Sequence, residues 1–283
     1  MAEQEPIKDF TEMGAALRRK EEVQNARPGI YDELAEAFDR GKKPYTGWVW
    51  DCLKKHVKGD PADQDVLDIA CGTGLSTRGL RLDGFTKTVG VDLDPKMLAI
   101  ARRNAPEIPY YEGSAAKLPF PDESFDAVTI YWAFQNFGED EASMKEIRRV
   151  LRPGGICMVI AGTIEGFSRE GRGIIRKYMV APETPPPGAT SGGRSSLELL
   201  RDKYHFRNVT TYTESKILTF TADEAFHAFD ASTQRNFVPK ENVKKLNDEL
   251  ELFCKRLAKE DEQKGGPGLL YRPLTMIVDI AVK

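Results

Sequence analysis

The sequence predicts an α/β fold: a doubly wound, seven-stranded sheet with N-terminal helices before it and a helical cap insertion near its end. Three observations predict it. Val66–Ala70 is a short apolar run that enters a turn with two glycines, Gly72 and Gly74, and a helical stretch follows at once. Apolar strand-like runs then alternate with amphipathic helical runs as far as Thr163, which is the rhythm of βα units in a parallel sheet. After Thr163 that rhythm stops, and two further strand-like runs are separated by helical stretches.

Taken in order, residues 1 to about 27 are charged and weakly periodic, an arm with a helix at about 12–24. Pro28-Gly29 breaks the chain, and Ile30, Leu34, Ala37 and Phe38 then recur at helical spacing. A second helix is expected from about Gly47 to Val57, with Trp48, Cys52 and Val57 inward. These helices either cover the carboxyl end of the sheet as a lid or simply pack on it. Val66–Ala70 is the first strand and Leu75–Leu82 the first helix of the sheet domain. Thr88–Asp92 is the second strand. Asp94-Pro95 starts the next helix, with a capping carboxylate and a proline at the first helical position. That helix carries Met97, Leu98, Ile100 and Ala101. Pro109–Glu112 and Phe125–Tyr131 are strands three and four. Glu141–Leu151 is a helix with Met144, Ile147 and Val150 on one side, ended by Arg152-Pro153-Gly154-Gly155. Ile156–Ala161 is almost wholly apolar, as a central parallel strand should be. Residues 165–194 hold two Pro/Gly-rich clusters and are expected as a long loop. Ser195–Tyr204 is helical, Asn208–Phe220 is one long strand or two short ones, and two helical stretches follow. In the second, about Lys240–Lys264, Val243, Leu246, Leu250, Phe253 and Leu257 form one apolar stripe. Thr275–Val282 alternates Met276, Val278, Ile280 and Val282 with more polar or small neighbours and makes the last strand. The expected divisions are residues 1–58 for the arm and lid helices, 59–164 for the nucleotide-binding core, 165–220 for a lid loop, helix and core strand, 221–268 for the helical cap insertion and 269–283 for the last strand.

Composition narrows the function. A chain of 283 residues with 40% hydrophobic content can bury one large elaborated domain. A formal charge of −3 argues against a protein that lives on nucleic-acid backbone contacts. Cys52, Cys71, Cys157 and Cys254 form no C-x-x-C pair, and with His56, His205 and His227 they show no metal-ligand spacing. No metal is expected, and the cysteines read as reduced thiols. The polar start MAEQEPIKDF lacks a signal-peptide apolar region, and no run is long enough to span a membrane, so the cytoplasm is expected.

The turn at Gly72-Thr73-Gly74 is a nucleotide site by its build, because glycines admit a ligand close to the backbone. A dinucleotide fingerprint would need a third glycine where Thr77 stands. Asp68, four positions before Gly72, brings a carboxylate to the site. It would repel a pyrophosphate and favour a ligand carrying an ammonium and a sulfonium. Asp92 suits a ribose diol.

Val66–Gly74, Val89–Asp92, Gly113–Asp126 (GSAAKLPFPDESFD) and Leu151–Gly155 (LRPGG) together resemble the successive motifs of the class I S-adenosylmethionine-dependent methyltransferases, whose sheet is Rossmann-like. They are most similar to the small-molecule branch that includes ubiquinone/menaquinone methyltransferases. The insertion between the last two strands resembles the trans-aconitate methyltransferase branch. The resemblance implies S-adenosylmethionine as cofactor. It implies that Asp68 holds the methionine ammonium directly or through water, and that Ala70, Gly72 and Gly74 let the backbone pass close. Asp92 would accept from the ribose hydroxyls and Leu93 lie against the adenine. Met97 joins this set, Ser114 and Ala115 would sit at the adenine edge, and Tyr131 would line the donor pocket. Many relatives carry Asp where Ser114 stands, and a hydroxyl accepts more weakly than a carboxylate.

Methyl transfer from a sulfonium is an in-line displacement and needs a base only when the acceptor atom is not already nucleophilic. Candidates for a catalytic role are Tyr31, Tyr131 and His227. Trp132, Phe134, Gln135, Asn136, Thr163 and Glu165 are further residues that could line the pocket. The implied partner is a small-molecule acceptor, with no nucleic acid, in a monomer or homodimer. Methylation of protein or RNA, a non-catalytic cofactor-binding regulator and a dehydrogenase are the alternatives.

Overall fold

The computed structural model describes residues 47–134, 137–138, 140–164, 167–178, 196–230 and 238–283. Its helices and strands are α1 (Trp48–Lys54), β1 (Asp65–Ile69), α2 (Leu75–Leu82), β2 (Lys87–Asp92), α3 (Pro95–Asn104), β3 (Tyr110–Glu112), β4 (Phe125–Tyr131), α4 (Glu141–Val150), β5 (Leu151–Ile164), α5 (Phe167–Tyr178), α6 (Ser196–Glu198), β6 (Arg207–Phe220), α7 (Ala222–Asp230), α8 (Lys240–Gln263) and β7 (Leu270–Val282). A π-helical turn, Leu199–Lys203, continues α6. The seven strands form one sheet in the order β3-β2-β1-β4-β5-β7-β6. Neighbours from β3 to β5 run parallel. The reversal of order on either side of β1 puts a crevice at the carboxyl ends of β1 and β4, where such sheets bind ligands. Lys283 at the end of β7 donates its N–H to the Gly155 carbonyl at 2.9 Å. The end of β7 therefore lies beside the first half of β5, and the two strands run in opposite directions.

Local chemistry accounts for the elements around the crevice. Asp94 caps α3 by accepting from the Lys96 and Met97 N–H groups at 2.9 and 3.4 Å, with Pro95 at the first helical position. Asp140 caps α4 in the same way, accepting from Ser143 at 3.0 Å. On one side, α4 buries Met144, Ile147 and Val150 against Leu67, Val128 and Ile130 of the central strands. Around α3, Leu98, Ala101, Ala105, Ile108 and Tyr110 form a second cluster with Cys71. At the amino ends of the strands, the Arg152 guanidinium reaches Asp65 at 2.9 Å and Asp126 at 2.7 Å, while Asp126 also accepts from the Asp65 N–H at 2.9 Å.

Several expectations are corrected. Helix α1 turns Val49, Trp50, Cys52 and Leu53 inward rather than Trp48 and Val57. Arg152-Pro153-Gly154-Gly155 does not simply end a helix. Leu151 already pairs with Phe125 and Ile156 with Ala127, so these residues form a bulge inside β5, with Gly154 at φ 77°. Helix α5 occupies part of the stretch expected as loop. Its glycines mask the helical pattern, yet Gly171 is demanded by packing, since a Cβ there would collide with the Phe229 ring. In β7, Asp279 and Ala281 are buried along with Met276, Val278 and Ile280, so both faces of the strand are covered.

The chain divides into two compact units. The described residues of one lie within Lys43–Gly162, Ser191–Glu214 and Met276–Lys283, and those of the other within Thr163–Thr190 and Ser215–Thr275. The divisions between them fall inside β5, β6 and β7. In the second unit, the α8 stripe buries Leu246, Leu250 and Phe253 against Ile174, Ile175, Ala225 and Phe229 of α5 and α7. Glu249 joins α8 to α5, accepting from Lys177 at 2.5 Å and Tyr178 at 2.8 Å, and the Lys177 ammonium holds its carboxyl below the usual range. The predicted arm and lid helices at 1–46 lie outside the described residues.

Candidate functional site

The site is built on the turn between β1 and α2. Ala70, Gly72 and Gly74 all adopt left-handed backbone, at φ 56°, 56° and 79°. The two glycines have different reasons. A Cβ on Gly74 would lie 2.5 Å from the Tyr110 hydroxyl, so packing excludes a side chain there. A Cβ on Gly72 would meet nothing within 4 Å, so this glycine borders open space that a ligand can enter. Hydrogen bonds pin the turn to its neighbours. Cys71 N–H donates to the Val91 carbonyl at 3.0 Å, and Gly72 N–H donates to Asp92 Oδ2 at 2.8 Å. Asp92 Oδ1 accepts from the Asp94 N–H at 3.0 Å. Gly113 N–H donates to the Asp92 carbonyl at 3.0 Å, which sets Ser114 and Ala115 beside the end of β2.

Asp68 lies just before the end of β1 and is wholly buried. Its Oδ2 accepts from Ser76 Oγ at 2.6 Å and Thr77 Oγ1 at 2.7 Å, and its Oδ1 accepts from Thr129 Oγ1 at 3.0 Å. Burial pushes its carboxyl up to about 6, against the pull of the three hydroxyls, with Asp92 adding a smaller upward push. Asp68 is thus held beneath the turn rather than standing open on the crevice wall.

The remaining predicted residues gather at the ends of four adjacent strands. Leu93 is half-buried and Met97 buried. Ser114 Oγ accepts from the Ala116 N–H at 3.2 Å, and Ala115 packs on the main cluster. Tyr131, at the end of β4, has its ring 6.2 Å from that of Trp50. Trp132 follows with φ 55°, an unusual conformation for so bulky a residue, and donates its N–H to the Ile160 carbonyl at 2.8 Å. His227 belongs to α7 in the helical unit, 3.6 Å from the Asp223 carboxylate one turn earlier. Tyr31, Gln135, Asn136 and Glu165 lie outside the described residues, as does the side chain of Thr163. Sequence reasoning missed Ser76, Thr77 and Thr129. Thr77 drew notice only as an absent glycine, although two adjacent hydroxyls in the first turn after Gly74 were a readable signal. Trp50, which is buried, is not among the α1 residues that the sequence reading turns inward. Among the described residues no group of three or more His, Cys, Asp or Glu is placed to hold a metal, and no helix is long and apolar enough to cross a membrane.

Two buried carboxylates thus lie at the ends of adjacent strands, beside a glycine turn that borders open space in an α/β fold. The methyltransferase domain family matches residues 67–159. The demethylmenaquinone methyltransferase of Corynebacterium kroppenstedtii is 33% identical over 163 residues, covering 55% of this chain and 69% of that protein. That of Symbiobacterium thermophilum is 34% identical over 158 residues, covering 50% and 62%. With 44% of the Chlorobaculum parvum enzyme covered, the chain spans about half the length of several curated relatives it matches. The solved structure of phosphoethanolamine N-methyltransferase 2 from Haemonchus contortus, at 18% identity, covers 92% of this chain and 59% of its own with a TM-score of 0.52, which shows the shared fold. The chain belongs to the S-adenosylmethionine-dependent methyltransferase family.

Proposed function

We propose that the protein transfers a methyl group from S-adenosylmethionine to a small-molecule acceptor of the quinone type. The observation that carries this reading is Asp92 fixed at the Gly72 turn, which borders open space, with the buried Asp68 carboxylate beneath that turn. That arrangement suits a cationic nucleoside and opposes a pyrophosphate. The relatives named for demethylmenaquinone point to the acceptor class. When bound, S-adenosylmethionine supplies a methyl group on a positively charged sulfur, already activated for displacement.

The chain's own residues bind, orient and exclude water. Asp68 contributes negative charge for the ammonium, and Asp92, fixed by the Gly72 and Asp94 N–H groups, accepts from the ribose hydroxyls. Leu93 and Met97 offer apolar surface to the adenine, with Ser114 and Ala115 at its edge. Tyr131 and Trp132, at the end of β4, border the place where an acceptor ring must lie in line with the methyl group. A ring carbon gives up a proton after methylation, and Tyr131 and His227 are the described candidates for handling it. The family match ends at residue 159, so the helical unit lies outside it, and we assign acceptor selection to that less shared part. The four cysteines are buried and form no disulfide, which supports a reducing compartment and hence a cytoplasmic protein.

The test is incubation with S-adenosylmethionine and reduced demethylmenaquinone, followed by mass spectrometry for one added methyl group. A methylated quinone supports the reading. Binding of S-adenosylhomocysteine without quinone methylation overturns the acceptor class, and absence of that binding overturns the whole reading.

A further inference from the structure

Asp68 sits within strand β1, yet three hydroxyls from two other elements converge on it, Ser76 and Thr77 from the first turn of α2 and Thr129 from β4. Thr129 lies among Ala127, Val128 and Ile130, where valine would fill nearly the same space. Its hydroxyl is therefore a matter of charge and orientation rather than packing. The titratable groups acting on Asp68 from neighbouring strands are Asp92 on β2 and Tyr110 on β3, and no cation is among them in the described residues. A carboxylate has about four acceptor positions, and the three hydroxyls fill three, leaving one on Oδ1. A buried carboxylate supported by hydroxyls alone is arranged to meet a cation that comes from outside.

We propose that Thr77 and Thr129, with Ser76, are positioning residues for cofactor binding, keeping Asp68 charged and aimed so that it attracts the cationic amino-acid end of the ligand. The proposal rests on the reading of the site as one for S-adenosylmethionine. Burial alone would drive Asp68 towards the neutral acid, and the hydroxyl donations oppose this. The protonated acid attracts no ammonium, so affinity falls by about tenfold per pH unit once Asp68 is protonated. Removal of a hydroxyl moves that fall to higher pH.

The test is calorimetric titration of the whole protein with S-adenosylhomocysteine, which carries the ammonium, from about pH 5 to pH 8. For the unaltered protein, the affinity is expected to be level near pH 8 and to decline with acidification below pH 6. In Thr77→Val and Thr129→Val the decline is expected to begin at higher pH than in the unaltered protein. Thr129→Ser restores the original profile, and Asp68→Asn binds weakly with little pH dependence. Variants weakened by one factor at every pH would mark these threonines as merely structural and overturn the proposal. A level profile in the unaltered protein from pH 5 to pH 8 would overturn it too, while leaving the cofactor reading intact. No binding by the unaltered protein at pH 8 would overturn both.

Discussion

Asp68 sets function against stability in a single side chain. In the folded protein its carboxyl stands near 6, above the ordinary 3.8, because it is buried. The folded state therefore holds the proton more tightly than the unfolded chain does. Ionising it takes about 3 kcal/mol from stability above pH 6, a loss that shrinks as pH falls and vanishes below about pH 4. Asp68→Asn is expected to raise unfolding stability by about 1–3 kcal/mol at pH 7.5 and to leave it unchanged near pH 4, as read by urea titration at both values. Ala70 stores strain at the same turn. Its left-handed backbone costs an L-residue roughly 1–2 kcal/mol, part of which glycine gives back through its freer unfolded chain. Ala70→Gly should stabilise by about 0.5–1 kcal/mol in the same assay, and a loss of stability would refute the strain.

At the scale of elements, the helical unit offers a matched pair of glycines two residues apart. In α5, a Cβ on Gly171 collides with Phe229, whereas one on Gly173 meets nothing within 4 Å. Gly173→Ala should gain about 0.5–1 kcal/mol from helix propensity. Gly171→Ala should lose about 1–3 kcal/mol as the buried ring is forced aside. Chemical denaturation of the two variants side by side checks both, and equal effects would refute this account of the helix packing. Two helix-weakening glycines within three residues hide α5 in the sequence, although Gly171 serves close approach to Phe229. By contrast Asp94-Pro95 located the start of α3 to the residue, and Leu75–Leu82 and Phe125–Tyr131 carry their own boundaries in pattern and punctuation. The glycine turn and Asp92 were legible because backbone geometry and charge are local. Of the partners of Asp68, Thr129 was not, because it lies 61 positions away and only strand pairing brings it near.

For the molecule as a whole, the predicted doubly wound sheet is present, and the correction concerns extent. Strands β5 and β7 run well beyond their apolar centres, whereas β6 spans almost the stretch expected of it, so local hydrophobicity alone does not set strand length. The sheet also separates two kinds of work. At its amino edge Arg152 clasps Asp65 and Asp126, drawing together the starts of β1, β4 and β5. Arg152 is 37% exposed, so its replacement by methionine should lower stability by only about 1 kcal/mol. It should leave the affinity for S-adenosylhomocysteine unchanged, as calorimetry would show, and a weakened affinity would refute the separation. Such a clasp has a consequence for descent. Mutations can accumulate and be compensated at one rim of the sheet while the opposite rim keeps its ligand, so lineages drifting in thermal tolerance need not drift in chemistry.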